Sequence, residues 1–82
     1  MFSRDEYIWI SALRYALGRR TYIVGITVEY MLRRLDIMSP GCKHIMIRDI
    51  EEQEKFGYGD ECDRVEWMKL LDKLKESLDG IS

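Results

Sequence analysis

The sequence predicts an all-α fold, a compact bundle of about four short helices in a single domain over residues 1–82. Three observations predict it. Helix-start signals recur at Ser3, at Ser39-Pro40 and at Asp63. The apolar residues between them fall largely at three- and four-residue spacing, and the joining segments are short.

The first helix begins at Ser3, which with Glu6 forms a capping box in which each side chain satisfies a free backbone N–H. Phe2 and Tyr7 occupy the two positions of a hydrophobic staple around that cap. The run YIWISALRYAL then continues to Gly18, a suitable C′ residue. Apolar side chains on most sides predict burial on more than one face. Residues 22–35 admit two readings. Tyr22, Val24, Ile26, Val28 and Tyr30 alternate as in a strand, which leaves 22–30 open to an extended form. Val24, Val28, Met31 and Leu35 fall at helical spacing, and the length of the run favours a helix capped by Thr21. Gly25 inside it predicts close approach of a neighbouring backbone. Ser39 and Pro40 open a third helix running to about Phe56, with Ile47 and Ile50 inward. Gly57-Tyr58-Gly59 is a loop. The last helix is placed near Asp63, with Asp63 and Glu66 as its box and Cys62 and Trp67 as its staple. Trp67, Leu71, Leu74 and Leu78 form its apolar stripe.

A chain of 82 residues that is 46% apolar can fill one core but has little stability to spare. Domains of this size often add disulfides, a metal or self-association. Two cysteines, Cys42 and Cys62, lack zinc-site spacing, and the single His44 completes no ligand set. A homo-oligomer is therefore expected. The opening MFSRDEYIWI lacks a basic leader, and no apolar run is long enough for a span, so a cytoplasmic protein without membrane contact is expected. The net charge of −2 is unevenly distributed: residues 1–34 carry six Lys/Arg against three acids, and residues 35–82 seven against twelve. A general nucleic-acid binder is usually basic overall. The asymmetry fits halves that attract within one chain, or head-to-tail contact between copies.

No catalytic arrangement emerges. Cys42 and His44 are two residues apart at a helix start and do not share a face, so they read as a packed thiol and a surface imidazole. The acidic cluster Asp60, Glu61, Asp63 and Glu66 lacks the ligand ladder of a calcium loop, and since Asp63 and Glu66 already serve as caps, helix capping is the better account. No catalytic residue, metal or cofactor is expected. The segment Arg14 to Tyr22 carries the most chemistry. Arg14, Arg19 and Arg20 gather around a turn that ends at a helix N-terminus, where free N–H groups and the dipole favour an anion. Guanidinium groups bind phosphate in bidentate fashion, and Tyr15 and Tyr22 can stack on a base, with Thr21 beside them. The competing account is that basic residues beside a helix C-terminus are favourable without any ligand. Trp9 and Trp67 read as core or interface anchors rather than a cofactor box.

The phrase WISALRYALGRRTYIV and the later YGDECDRVEWMKLL resemble a group of small accessory proteins encoded by bacteriophages and prophages. That group pairs an ALRYALGR-x-TY block, here residues 12–22, with a GD-x-x-D-x-x-x-W block, here residues 59–67. The resemblance implies context rather than chemistry: such proteins often bind and disable a host defence. Some occupy CRISPR effector surfaces, and others resemble oligomeric sponges for the nucleotide signals of CBASS or Thoeris immunity. It singles out Arg19, Arg20, Asp63 and Trp67. The resulting expectation is a non-enzymatic, phage-encoded binding protein in the host cytoplasm. It would sequester a phosphate-bearing nucleotide or occupy a host protein surface. A helix-turn-helix-like nucleic-acid-binding regulator is the alternative, with Arg33-Arg34 and Arg19-Arg20 on phosphates.

Overall fold

A computed structural model describes residues 2–17, 22–58 and 60–79. The described chain forms four α-helices: α1 (Arg4–Ala16), α2 (Tyr22–Leu32), α3 (Pro40–Gln53) and α4 (Glu61–Asp79). A single 3-10 turn, Leu35–Ile37, links α2 to α3. Each helix packs on two others, in the ring order α1–α2–α4–α3. The result is an α1/α2 layer laid on an α3/α4 layer. One core fills the space between the layers, built from Trp9, Leu13, Val24, Val28, Met31, Met46, Ile50, Trp67, Leu70 and Leu74.

The first helix starts as the capping box requires. Ser3 Oγ accepts from Glu6 N–H at 3.2 Å, and Ser3 N–H donates to Glu6 Oε1 at 3.1 Å. The Phe2 and Tyr7 rings meet edge to face, 5.7 Å between centroids. The Phe2 ring also lies over Gly41, where a Cβ would come within 3.0 Å of it. Glu6 does more than close its own box. Its second oxygen accepts from Ser39 N–H at 2.6 Å, while Ser39 Oγ accepts from Cys42 N–H at 3.2 Å and caps α3. One buried carboxylate therefore joins two helix starts.

Several expectations are corrected. The extended reading of 22–30 is replaced by helix: Val24, Val28 and Met31 all face the core. A strand would leave its edge groups without partners here, whereas a helix satisfies them internally. That helix stops at Leu32 rather than running to residue 35, and Arg34, with φ −115°, begins the 3-10 turn. Gly25 does not mark a close approach, since a Cβ there would meet nothing within 4 Å. The third helix ends at Gln53, before Phe56. The last helix begins at Glu61, and its cap is Asp60 rather than Asp63, three residues earlier than expected; Asp60 Oδ1 accepts from Asp63 N–H at 3.0 Å. Glu66 is not the box partner; its carboxylate pairs with Lys69 at 3.4 Å. The expected caps Gly18 and Thr21 lie outside the described residues. Tyr58, in the α3–α4 loop after Gly57 (φ 85°), is buried and donates from its hydroxyl to Ile50 O at 2.6 Å.

The Glu6 carboxyl is held below its ordinary range, first by the Ser39 N–H, against the opposing effect of burial. A carboxyl with a depressed folded-state pKa contributes stability that is present above about pH 4.3 and lost as pH falls through the folded value. Glu6→Gln keeps the shape but turns an amide N–H toward one of the two donors. We expect it to cost about 1.5–3 kcal/mol, the range for hydrogen bonds to a charged group. That corresponds to a melting midpoint lower by about 10 °C for a domain of this size. Thermal melts at pH 7 and pH 3.5 check both points: the gap between wild type and variant should narrow at the lower pH.

Candidate functional site

Of the six residues gathered around the arginine turn, Arg19, Arg20 and Thr21 lie outside the described residues, as does the side chain of Tyr22. Arg14 and Tyr15 are described. Arg14 Nε donates to Asp49 Oδ2 at 2.7 Å, tying α1 to α3. That bond and the Asp49 charge raise the guanidinium pKa, and Glu52 adds to the effect. Arg14 also lines a cleft of about 210 Å³ with Leu17, Asp49, Glu52, Gln53 and the exposed Phe56. Two carboxylates and one guanidinium line that cleft, so the described residues give it no cationic surplus for a phosphate. Tyr15 is exposed on the outer side of α1.

The three residues expected as core or interface are all core. Trp9, Asp63 and Trp67 are buried. Asp63 Oδ2 and Trp67 Nε1, four residues apart on α4, are buried without a hydrogen-bond partner among the described residues. Each such group costs about 1–3 kcal/mol relative to a paired one. Among the described residues most ion pairs lie within one half of the chain. Arg14–Asp49 crosses from one half to the other, but Arg33–Glu29, Arg64–Glu54, Lys69–Glu66, Lys73–Glu76 and Lys75–Glu51 stay within a half. The α3/α4 layer is thus acidic in surplus, and the α1/α2 layer is not.

The α1/α2 layer carries the most unusual surface. Within α2, YIVGITVEYML, Glu29 is the single charged residue, so this helix is apolar nearly all round. A helix of that kind is ordinarily buried on all sides. Here Ile26 is 61% exposed and Tyr30 39%, and Ile8 on the adjoining flank of α1 is 54% exposed. Between the two helices runs an apolar cleft of about 210 Å³ lined by Ile8, Trp9, Ala12, Ile26, Thr27, Tyr30 and Met31. Ile26 and Tyr30 also line a second cleft, of about 320 Å³, with Glu29, Arg33 and Arg34. There the Arg34 guanidinium lies 3.4 Å from the centre of the Tyr30 ring and donates from Nη1 to Tyr30 O at 3.0 Å. Arg33 pairs with Glu29 at 3.1 Å, both well exposed. Among the described residues Arg34 has no carboxylate partner.

This surface escaped the sequence reading, although its signal was present: an amphipathic helix separates its charges to one side, and α2 has almost none to separate. Lys43 was also missed. It is buried between α3 and α4, with Nζ donating to Ser77 Oγ near the α4 C-terminus, where the dipole favours a cation. Cys42 is buried, Cys62 is exposed and His44 is exposed. Among the described residues no three His, Cys, Asp or Glu side chains are grouped to hold a metal, and no helix is long and apolar enough to cross a membrane.

Two predictions follow from these placements. Burial, then the charge of Glu6, pushes the Cys42 thiol up to about 11. A disulfide-exchange reagent at pH 8 should therefore label Cys62 in the folded protein and reach Cys42 only in denaturant; rapid native labelling of both would contradict this packing. Arg14→Ala should cost at most about 1 kcal/mol, because the guanidinium is half exposed and the pair is screened. Urea titration reads that difference directly.

Comparison of the chain with protein families, with curated proteins and with solved structures gives no match in any of the three.

Proposed function

We propose that this protein is a non-enzymatic, phage-type binding protein that acts on a host defence system by occupying the surface of a host protein. The observation that carries this reading is the exposed apolar α1/α2 face, centred on Ile8, Ile26 and Tyr30. Apolar side chains grouped around a cleft on an otherwise charged small domain mark an interaction surface. The sequence blocks at 12–22 and 59–67 supply the phage context through their resemblance.

Sequestration of a nucleotide signal is less well supported. Arg14 is engaged by Asp49, so a phosphate site would have to rest on Arg19, Arg20 and Thr21. A nucleic-acid-binding role is disfavoured by the acidic surplus of residues 35–82.

Phage challenge of bacteria that carry single defence systems tests the proposal. Expression of the wild-type protein should restore plaquing against at least one system. Ile26→Glu, at an exposed position, should abolish that effect while leaving the melting midpoint near wild type. Arg14→Ala should retain it. Full activity of Ile26→Glu, or no restoration against any system, would overturn the reading.

A further inference from the structure

The two clefts on the α1/α2 layer adjoin, sharing Ile26 and Tyr30 as lining side chains. The first part is an apolar slot with the Trp9 ring in its wall. The second part includes Arg34, whose guanidinium carbon lies 3.4 Å from the centre of the Tyr30 ring and whose Nη1 donates to Tyr30 O. Stacking of this kind removes much of the side-chain freedom that a surface arginine otherwise loses on binding. A planar cation without a carboxylate partner among the described residues, beside an apolar slot, matches a ligand with an apolar anchor followed by an acid.

The spacing also limits the form of that ligand. Tyr30 lies in the last turn of α2 and Arg34 just past the end of that helix, with its guanidinium brought back over the Tyr30 ring. A third helix laid into the groove between α1 and α2 can present an apolar anchor and an acid one turn apart, a reach that suits a slot and a cation sharing the Tyr30 side chain. Among the described residues there is no strand edge for an extended segment to join.

Resting on the reading of this face as the docking surface, we infer that it receives an amphipathic helix of a partner protein, one with a large apolar anchor and an Asp or Glu one turn along. The anchor enters the slot beside Trp9, and the carboxylate meets Arg34. Arg33 is already matched by Glu29 and contributes little to the choice. The whole protein carries net charge −2, so general electrostatic attraction favours a basic peptide rather than an acidic one. A preference for acid at this face is therefore a property of the local site.

Two labelled synthetic helical peptides of about 18 residues, with the same Leu stripe and either Glu or Lys flanks, give the test. Fluorescence anisotropy against the full chain should show the Glu peptide binding at least tenfold more tightly. Ile26→Glu should abolish binding of both peptides. Arg34→Gln should remove most of the preference and leave a weak, charge-blind affinity. Equal or tighter binding of the Lys peptide, lost on Ile26→Glu, would overturn the acidic-partner inference and leave the docking face standing. Sedimentation of the unlabelled protein covers the remaining case. A dimer dispersed by Ile26→Glu, with no peptide bound, would assign the face to a second copy and overturn the inference. A monomer that binds neither peptide would overturn it as well.

Discussion

Glu6 is the constraint on which the arrangement of the bundle depends. Its two oxygens take one N–H from the start of α1 and one from the start of α3, so the two helices begin side by side at a fixed distance. A carboxylate placed at two positive dipole ends is favourable for both. It is buried, and its charge is compensated by hydrogen bonds rather than by a cation. Below it sits the Cys42 thiol, kept protonated partly by that same charge. At the far end of the α1–α3 pair, Arg14 and Asp49 provide a second tie. Helix pairing is thus pinned at both ends, and the apolar side chains between them have one register in which to pack.

With α1 and α3 fixed, the other two helices divide the remaining work unequally. The fourth is long, with a clear apolar stripe on one side and ion pairs on the other. It completes the core and turns its charges outward. The second is short and almost without charge, and it cannot bury every side against its two neighbours in so small a bundle. Its outer side is left to solvent. Exposed apolar area of this kind is unfavourable in an isolated chain, at about 25 cal/mol per Å² relative to burial. It becomes useful when a partner covers it. The proposed function places the partner here because the cost of exposure and the means of recognition reside in the same side chains.

The legible parts of the fold were those governed by local chemistry. Ser3 and Glu6, Ser39 and Pro40, and the Phe2–Tyr7 contact were readable because a cap and its partners lie within four residues of each other. Near the last helix the same rule gave a cap three residues too late, because Asp60 and Asp63 both satisfy it and spacing does not choose between them. The candidate site was less legible. Arg14 has the chemistry of an anion ligand in sequence, but Asp49, thirty-five residues away, takes its guanidinium.

By itself, the sequence determined a helical fold, the starts of α1 and α3, and most of the buried stripe of α4. These depend on hydrogen bonds and periodicities that close within one or two turns. Tertiary structure alone decided that Glu6 serves two helices, that Lys43 and Tyr58 are buried, and that Ile26, Tyr30 and Arg34 share one outward face. Those outcomes depend on which helices become neighbours. An apolar residue carries the same preference for burial at every position, and only the packing of the other helices determines which positions a small core can cover.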